Sequence, residues 1–266
     1  MTLLTLTKHH GLGNDFLVVF HPGVDDLPAL ARRVCDRRRG VGADGLLVAE
    51  SADGFAARMW LYNADGSRAE MSGNGIRCFA QALAMRRGDD AAQRILTDAG
   101  ERLVTIMPTG HPFTIQAAVD MGDVEGIAEP ADWHRLGVDP MRPVAHLSVG
   151  NPHAVVGVDD VSAVDLLGLG QLVPYVNLEV IESGPEPDAI TMRVHERGAG
   201  ITEACGTGAC ASAWAARQWG LVPAATEEIL VHMDGGDAKV RMHQPSHGRV
   251  TLVGPAHFIA TVTVEV

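Results

Sequence analysis

Ala204-Cys205-Gly206-Thr207-Gly208-Ala209-Cys210-Ala211-Ser212 sets a cysteine before two glycines spaced by a threonine, and Ala213-Trp214-Ala215-Ala216-Arg217-Gln218 continues with good helix formers. The order predicts a tight turn feeding the first turn of a helix. Gly206 and Gly208 let a ligand approach the backbone, and the first amides of a helix point outward without intrahelical partners. Such an end holds an anion through its N–H groups and the positive end of the dipole. A thiol at this place is expected to ionise more readily than its ordinary value of about 8.5. Cys205 is therefore a candidate base or nucleophile beside a bound carboxylate or phosphate. A buried, inert cysteine is the competing reading.

An echo decides between them. Ser72-Gly73-Asn74-Gly75 lies 133 residues earlier (205 − 72), half the chain, and aligns Ser72 with Cys205, Gly73 with Gly206, Asn74 with Thr207 and Gly75 with Gly208. Each is followed by an Ala-rich helix that stops at a glycine, Gly88 or Gly220. A period of half the chain predicts two similar α/β halves, each with a strand set and one dominant helix. The irregular, acidic stretch from Gly122 to Pro140 places the junction near Asp120. Elsewhere Asp26 is expected to cap a helix from Leu27 to Arg38, and Phe16–Phe20 reads as an apolar strand. His9-His10 reads as the accidental end of a strand, and the last strands are expected at Arg249–Val253 and His257–Val266.

Composition narrows the function. The 266 residues are 46% hydrophobic but only 5% aromatic, which predicts an aliphatic core. The net charge of −12 argues against a nucleic-acid partner. Arg37-Arg38-Arg39 is read as a helix end whose cations complement the dipole. No apolar run reaches the length of a membrane span, the N-terminus lacks signal-peptide features, and four cysteines without CxxC spacing suit neither a disulfide framework nor zinc. No HExxH motif appears among the 12 histidines. A cytoplasmic, reduced protein with no metal is expected.

The motifs GLGNDF (11–16), GVGADGLL (40–47), YNADGS (62–67), SGNGIRCFA (72–80), GNPHAV (150–155), ERGAG (196–200) and ACGTGACAS (204–212) occur in an order that resembles the diaminopimelate epimerase family of the proline racemase-like group. The resemblance implies an α+β fold of two pseudo-symmetric domains, each a curved, mostly antiparallel sheet or barrel around a central helix. Residues 1–119 with 256–266 would form one domain and 120–255 the other, with the active site in the cleft between them. It implies PLP-independent, metal- and cofactor-free inversion of an α-carbon of diaminopimelate in lysine and peptidoglycan-precursor biosynthesis, by a homodimer. Cys205 would be one catalytic residue, and Ser72 stands where the family has the other cysteine. His153 would assist a thiol. Gly73, Asn74, Gly206 and Thr207 would present the α-carboxylate's donors, and Asn14, Asn63, Asn151 and Asn177 would hold polar groups. Glu196 and Arg197 would meet the distal ammonium and carboxylate, with Glu196 also counted among the catalytic residues.

Ser72 is the departure. A hydroxyl is a far weaker acid than a thiol, and Cys78, more than a turn down the helix, does not replace it. Three accounts stay open at this stage: an engineered substitution, a natural Ser/Cys pair of the kind found in related racemases, epimerases and dehydratases of other amino acids, or one-sided chemistry by Cys205. Rival classes are a cysteine hydrolase using Cys205 and His153, a dinucleotide binder on the weak Gly206-x-Gly208-x-x-Ala211 signature, and a non-catalytic amino-acid binding protein.

Overall fold

The computed structural model describes residues 3–244 and 247–265. The chain divides into two compact units, Met1–Val119 with Gly254–Val266, and Asp120–Val253. In the first unit the elements are β1 (Leu3–Gly11), β2 (Asn14–Phe20), α1 (Leu27–Cys35), β3 (Gly45–Glu50), β4 (Ala57–Asn63), β5 (Arg68–Ala69), α2 (Gly73–Arg87), β6 (Gln93–Thr97), β7 (Gly100–Pro108) and β8 (Thr114–Asp123). β1 pairs antiparallel with β2, β2 parallel with β3, β3 antiparallel with β4, and β4 parallel with β6. β6, β7 and β8 follow as antiparallel neighbours. β8 then pairs with the chain's last strand, which returns antiparallel to β1. Eight strands thus close a ring, and closure leaves no unpaired edge.

α2 fills that ring. It packs against β1, β2, β4 and β7, and every residue from Gly73 to Ala84 is buried. Alanines and glycines keep the helix slim enough to be enclosed, and a helix buried on all sides needs no single apolar stripe. Ser72 caps its start by accepting from the Gly75 N–H at 3.0 Å, and Gly88 ends it in the left-handed region at φ 75°. α1 lies on the outside with Leu30, Ala31, Val34 and Cys35 in an aliphatic cluster. It stops three residues short of the expected Arg38, because the Asp36 carboxylate takes the Arg38 and Arg39 amides.

The second unit repeats this plan. Its elements are β9 (Glu125–Gly126), β10 (Val144–Ser148), β11 (Pro152–Gly157), α3 (Leu166–Leu172), β12 (Asn177–Ser183), β13 (Ala189–Glu196), β14 (Gly200–Thr202), α4 (Gly206–Trp219), β15 (Glu228–Met233), β16 (Gly236–Gln244) and β17 (His247–Glu265). β10 to β13 alternate antiparallel, parallel and antiparallel; β13 pairs parallel with β15, and β15, β16 and β17 are antiparallel. The Val124 N–H bonds the Gly248 carbonyl, and β9 pairs back to β10. α4 packs against β11, β12, β13 and β16, with ten of its residues buried. Gly220 closes it at φ 74°.

Two expectations need correction. β17 is one strand where a break was expected at Gly254-Pro255, because buried Arg77 holds this stretch straight. Its Nε donates to the Pro255 carbonyl at 3.1 Å, and the guanidinium packs so closely on Gly254 that a Cβ there would sit 3.0 Å from Arg77 Cζ. His9 is no accident of a strand end. It is fully buried in β1, bonded through Nδ1 to Gln81 of α2 at 2.8 Å and through Nε2 to Thr7 at 2.9 Å.

Candidate active site

In the second unit the expected residues converge on the start of α4. Cys205 is the N-cap, only 4% exposed, and its sulfur accepts from the Gly208 N–H at 3.4 Å. Thr207 Oγ1 lies 3.5 Å from the sulfur and accepts from Asn151 Nδ2 at 3.3 Å. Asn151 Oδ1 is 3.0 Å from His153 Nε2, and His153 Nδ1 is 2.7 Å from Glu179 Oε1. The Glu196 carboxyl accepts from Thr202 Oγ1 at 2.6 Å and is near enough to the thiol to act on its ionisation. Asn177 donates to the Pro152 carbonyl and accepts from the Arg197 N–H at 2.8 Å, so it ties Arg197 to the strands that carry His153.

The electrostatics reverse one expectation. Burial pushes the Cys205 thiol well above its ordinary value, and the Glu196 and Glu179 carboxylates push it further. The Thr207 hydroxyl and Gly208 amide act the other way and lose. A helix start favours a thiolate, but here desolvation and two negative neighbours outweigh it. Burial likewise raises Glu196, against the hydrogen bonds from Thr202 and Cys205. Burial thus opposes charge on both the thiol and the neighbouring carboxyl.

In the first unit the expected residues gather at the start of α2, with different company. Asn74 Nδ2 donates to Asn14 Oδ1 at 3.3 Å, and Asn14 Nδ2 donates to Asp44 Oδ2 at 2.8 Å. Arg77 Nη2 and Nη1 donate to Asn74 Oδ1 at 2.7 Å and the Gly73 carbonyl at 3.0 Å. Arg37 clamps Asp15 and Asp44 together behind Asn14, so it is more than the solvated helix end expected of it. Asn63 Nδ2 bonds Ser67 Oγ at 3.0 Å within its own turn, which is the turn chemistry its NADG setting allows. Ser72 has Phe16 near its first turn: a Cβ on Gly75 would lie 3.2 Å from Ser72 Oγ and 3.4 Å from Phe16 Cζ.

Asp44, Arg77 and Glu179 were absent from the expected set. Asp44 hides in a turn motif and Arg77 in a helix of small residues. Glu179 had the plainest signal, an acid between Leu178 and Val180 in a strand whose first five residues are all buried. Among the described residues no cluster of three or more metal-ligating side chains occurs.

The fold is shared with solved structures of low identity. A phenazine biosynthesis protein of the PhzF family from Bacillus anthracis matches with a TM-score of 0.77, 14% identity and full coverage of both chains. A hydroxyproline epimerase from Agrobacterium vitis matches at 0.70 and 14% identity, over 98% of this chain and 92% of that one. The fold is thus one used by epimerases.

The relatives by sequence are narrower. A diaminopimelate epimerase from Desulfitobacterium hafniense is 36% identical over 96% of each chain, and one from Magnetococcus marinus is 40% identical over 94% of this chain and 92% of its own. The family model for diaminopimelate epimerase matches residues 6–127 and 146–259. The chain belongs to the diaminopimelate epimerase family, and its enzyme class is that of the isomerases.

Proposed function

We propose that the protein inverts an α-carbon of diaminopimelate without a cofactor, with Cys205 acting on one face of that carbon and Ser72 on the other. The observation that carries this reading is the line of hydrogen-bonded groups converging on Cys205, set at the N-cap of a helix whose first amides suit a carboxylate. In the step proposed, Cys205 passes its proton to Glu196 and the thiolate takes the α-hydrogen, so that the C–H bond breaks as S–H forms. The negative charge spreads onto the α-carboxylate, held by the Gly206 and Thr207 amides, with Gly73 and Asn74 the corresponding donors from the first unit. A proton from the Ser72 hydroxyl forms the new C–H bond. Water then reprotonates the Ser72 oxygen, and the hydroxide so formed takes the proton held by Glu196, which restores the starting enzyme. The reverse reaction runs the same path backward. Asn14, Asn63, Asn151, Asn177 and Arg197 belong to substrate binding in this reading.

Incubation with each diaminopimelate stereoisomer in D₂O, followed by proton NMR, tests it. Interconversion with deuterium entering the α-position is expected. A folded protein that exchanges no α-hydrogen of any isomer contradicts the reading. One observation favours a second reading, exchange without inversion: among the described residues no carboxylate or imidazole bonds Ser72, whereas the Glu196 carboxyl interacts with Cys205. Deuterium uptake with retained configuration identifies that case.

A further inference from the structure

The second unit holds a buried acid that the proposed reaction does not use. Glu179 sits in the middle of β12 with no exposed surface. The strand registers locate its counterpart in the first unit. Phe16 faces Gly45 at the head of the β2–β3 ladder, as His153 faces Asn177 at the head of β11–β12. Two residues on, Leu47 in one barrel stands where Glu179 stands in the other, and both are fully buried. A leucine shows that the position is apolar by construction. Burying a carboxylate there costs several kcal/mol unless it is partnered, so its presence calls for a role.

Its contacts supply one. Oε1 lies 2.7 Å from His153 Nδ1, while Oε2 is buried with no hydrogen-bond partner among the described residues. The same Oε1 presses on the first turn of α4: a Cβ at Gly208 would sit 2.6 Å from it, closer than side chains tolerate. From Glu179 the contacts run unbroken through His153, Asn151 and Thr207 to the Cys205 sulfur.

We propose that Glu179 is a positioning residue for Cys205: it accepts the Nδ1–H of His153, fixes the plane of the ring, and turns Nε2 toward Asn151, Thr207 and the thiol. A carboxylate behind a histidine sets which nitrogen carries hydrogen and raises the basicity of the other. Gly208 belongs to the same device, because only a residue without a Cβ lets the carboxylate reach this depth. The catalytic consequence rests on the proposed proton transfer; the ring geometry does not.

Nitrogen-15 NMR of histidine-labelled protein, with His153→Gln assigning the signal, tests the geometry alone. The wild type is expected to show a slowly exchanging Nδ1–H on His153, shifted downfield by a charged acceptor, and Glu179→Gln to lose that shift. A wild-type ring protonated on Nε2 and bare on Nδ1 overturns the proposal, whatever the protein does to diaminopimelate. α-Hydrogen exchange tests the consequence. Glu179→Gln is expected to lower kcat about tenfold with KM unchanged and to displace the pH profile, while Glu179→Asp recovers part of the rate. Gly208→Ala is expected to reproduce the Gln phenotype, and Gly75→Ala in the first unit to be milder. A Gln variant with wild-type kcat and pH profile overturns the proposal. Where Glu179→Gln does not fold, the wild-type spectrum and Glu179→Asp decide.

Discussion

The two barrels share strand order, pairing sense and a helix capped at Ser72 or Cys205, yet they spend their buried polar groups differently. In the first unit these groups hold the frame. His9 pins β1 to α2 through Gln81, and Arg77 ties α2 to the last strand. In the second unit the corresponding groups crowd the helix start. Leu147 takes the place of His9, judged by the β1–β2 and β10–β11 registers, while His153 replaces Phe16 and Glu179 replaces Leu47. One plan thus supports two tasks, because inward-facing strand positions can be exchanged between apolar and titratable residues without altering the backbone hydrogen bonds of the ladder.

The comparison can be broken in order of expected effect. Cys205→Ala is expected to reduce α-hydrogen exchange by about 10³-fold, and Ser72→Ala by much less; equal losses would show that both ends do the same work. In the wild type the exchange rate should climb with pH, since the thiol is pushed up and must lose its proton to act.

Acid should expose the first unit's frame. Burial lowers His9 from 6.5 to about 4, against the opposing hydrogen bond to Gln81, so the folded protein keeps it neutral. The unfolded chain takes up a proton below pH 6.5 and the folded one does so only near 4. Stability from this residue is therefore complete above pH 6.5 and is lost as pH falls towards 4, by roughly 3 kcal/mol. Denaturant midpoints between pH 7 and 4 should fall accordingly, and His9→Leu, the second unit's solution, should flatten that slope. An unchanged slope would remove His9 from the frame.

Smaller effects sharpen the contrast between the two caps. Ser72→Cys is expected to raise turnover by about tenfold, because a thiol is the better proton carrier; an unchanged rate would show that oxygen suffices there. Ser72→Ala should lower stability by about 1 kcal/mol through the lost N-cap bond, measurable by thermal denaturation. Cys205→Ala should cost less as a cap, since its sulfur makes a longer and weaker bond.

Much of this was legible in the chain. The half-length repeat of Ser72-Gly-Asn-Gly and Cys205-Gly-Thr-Gly announced two helices with equivalent starts, and Gly88 and Gly220 marked their ends. Turn chemistry located the turns beside Asn14 at the head of β2 and Asn63 at the end of β4, and the loop that carries Asn151. The pairing of strands was not legible, because it joins segments such as β1 and β17 that lie at opposite ends of the sequence. β6 escaped notice because its alternation is short and begins with the buried Gln93. The thiol's electrostatics escaped for the same reason as the pairing. A helix start is a local feature, whereas Glu179 and Glu196 reach Cys205 only through the ladder of β11, β12 and β13.

The central claim is that proton removal is concentrated at Cys205. Initial α-hydrogen exchange rates of single diaminopimelate stereoisomers in D₂O, measured before inversion accumulates, test it most directly. The isomer whose α-hydrogen meets Cys205 should exchange with solvent at least about ten times faster than its α-epimer, and Cys205→Ala should abolish the difference. Equal initial rates for both isomers in the wild type would contradict it.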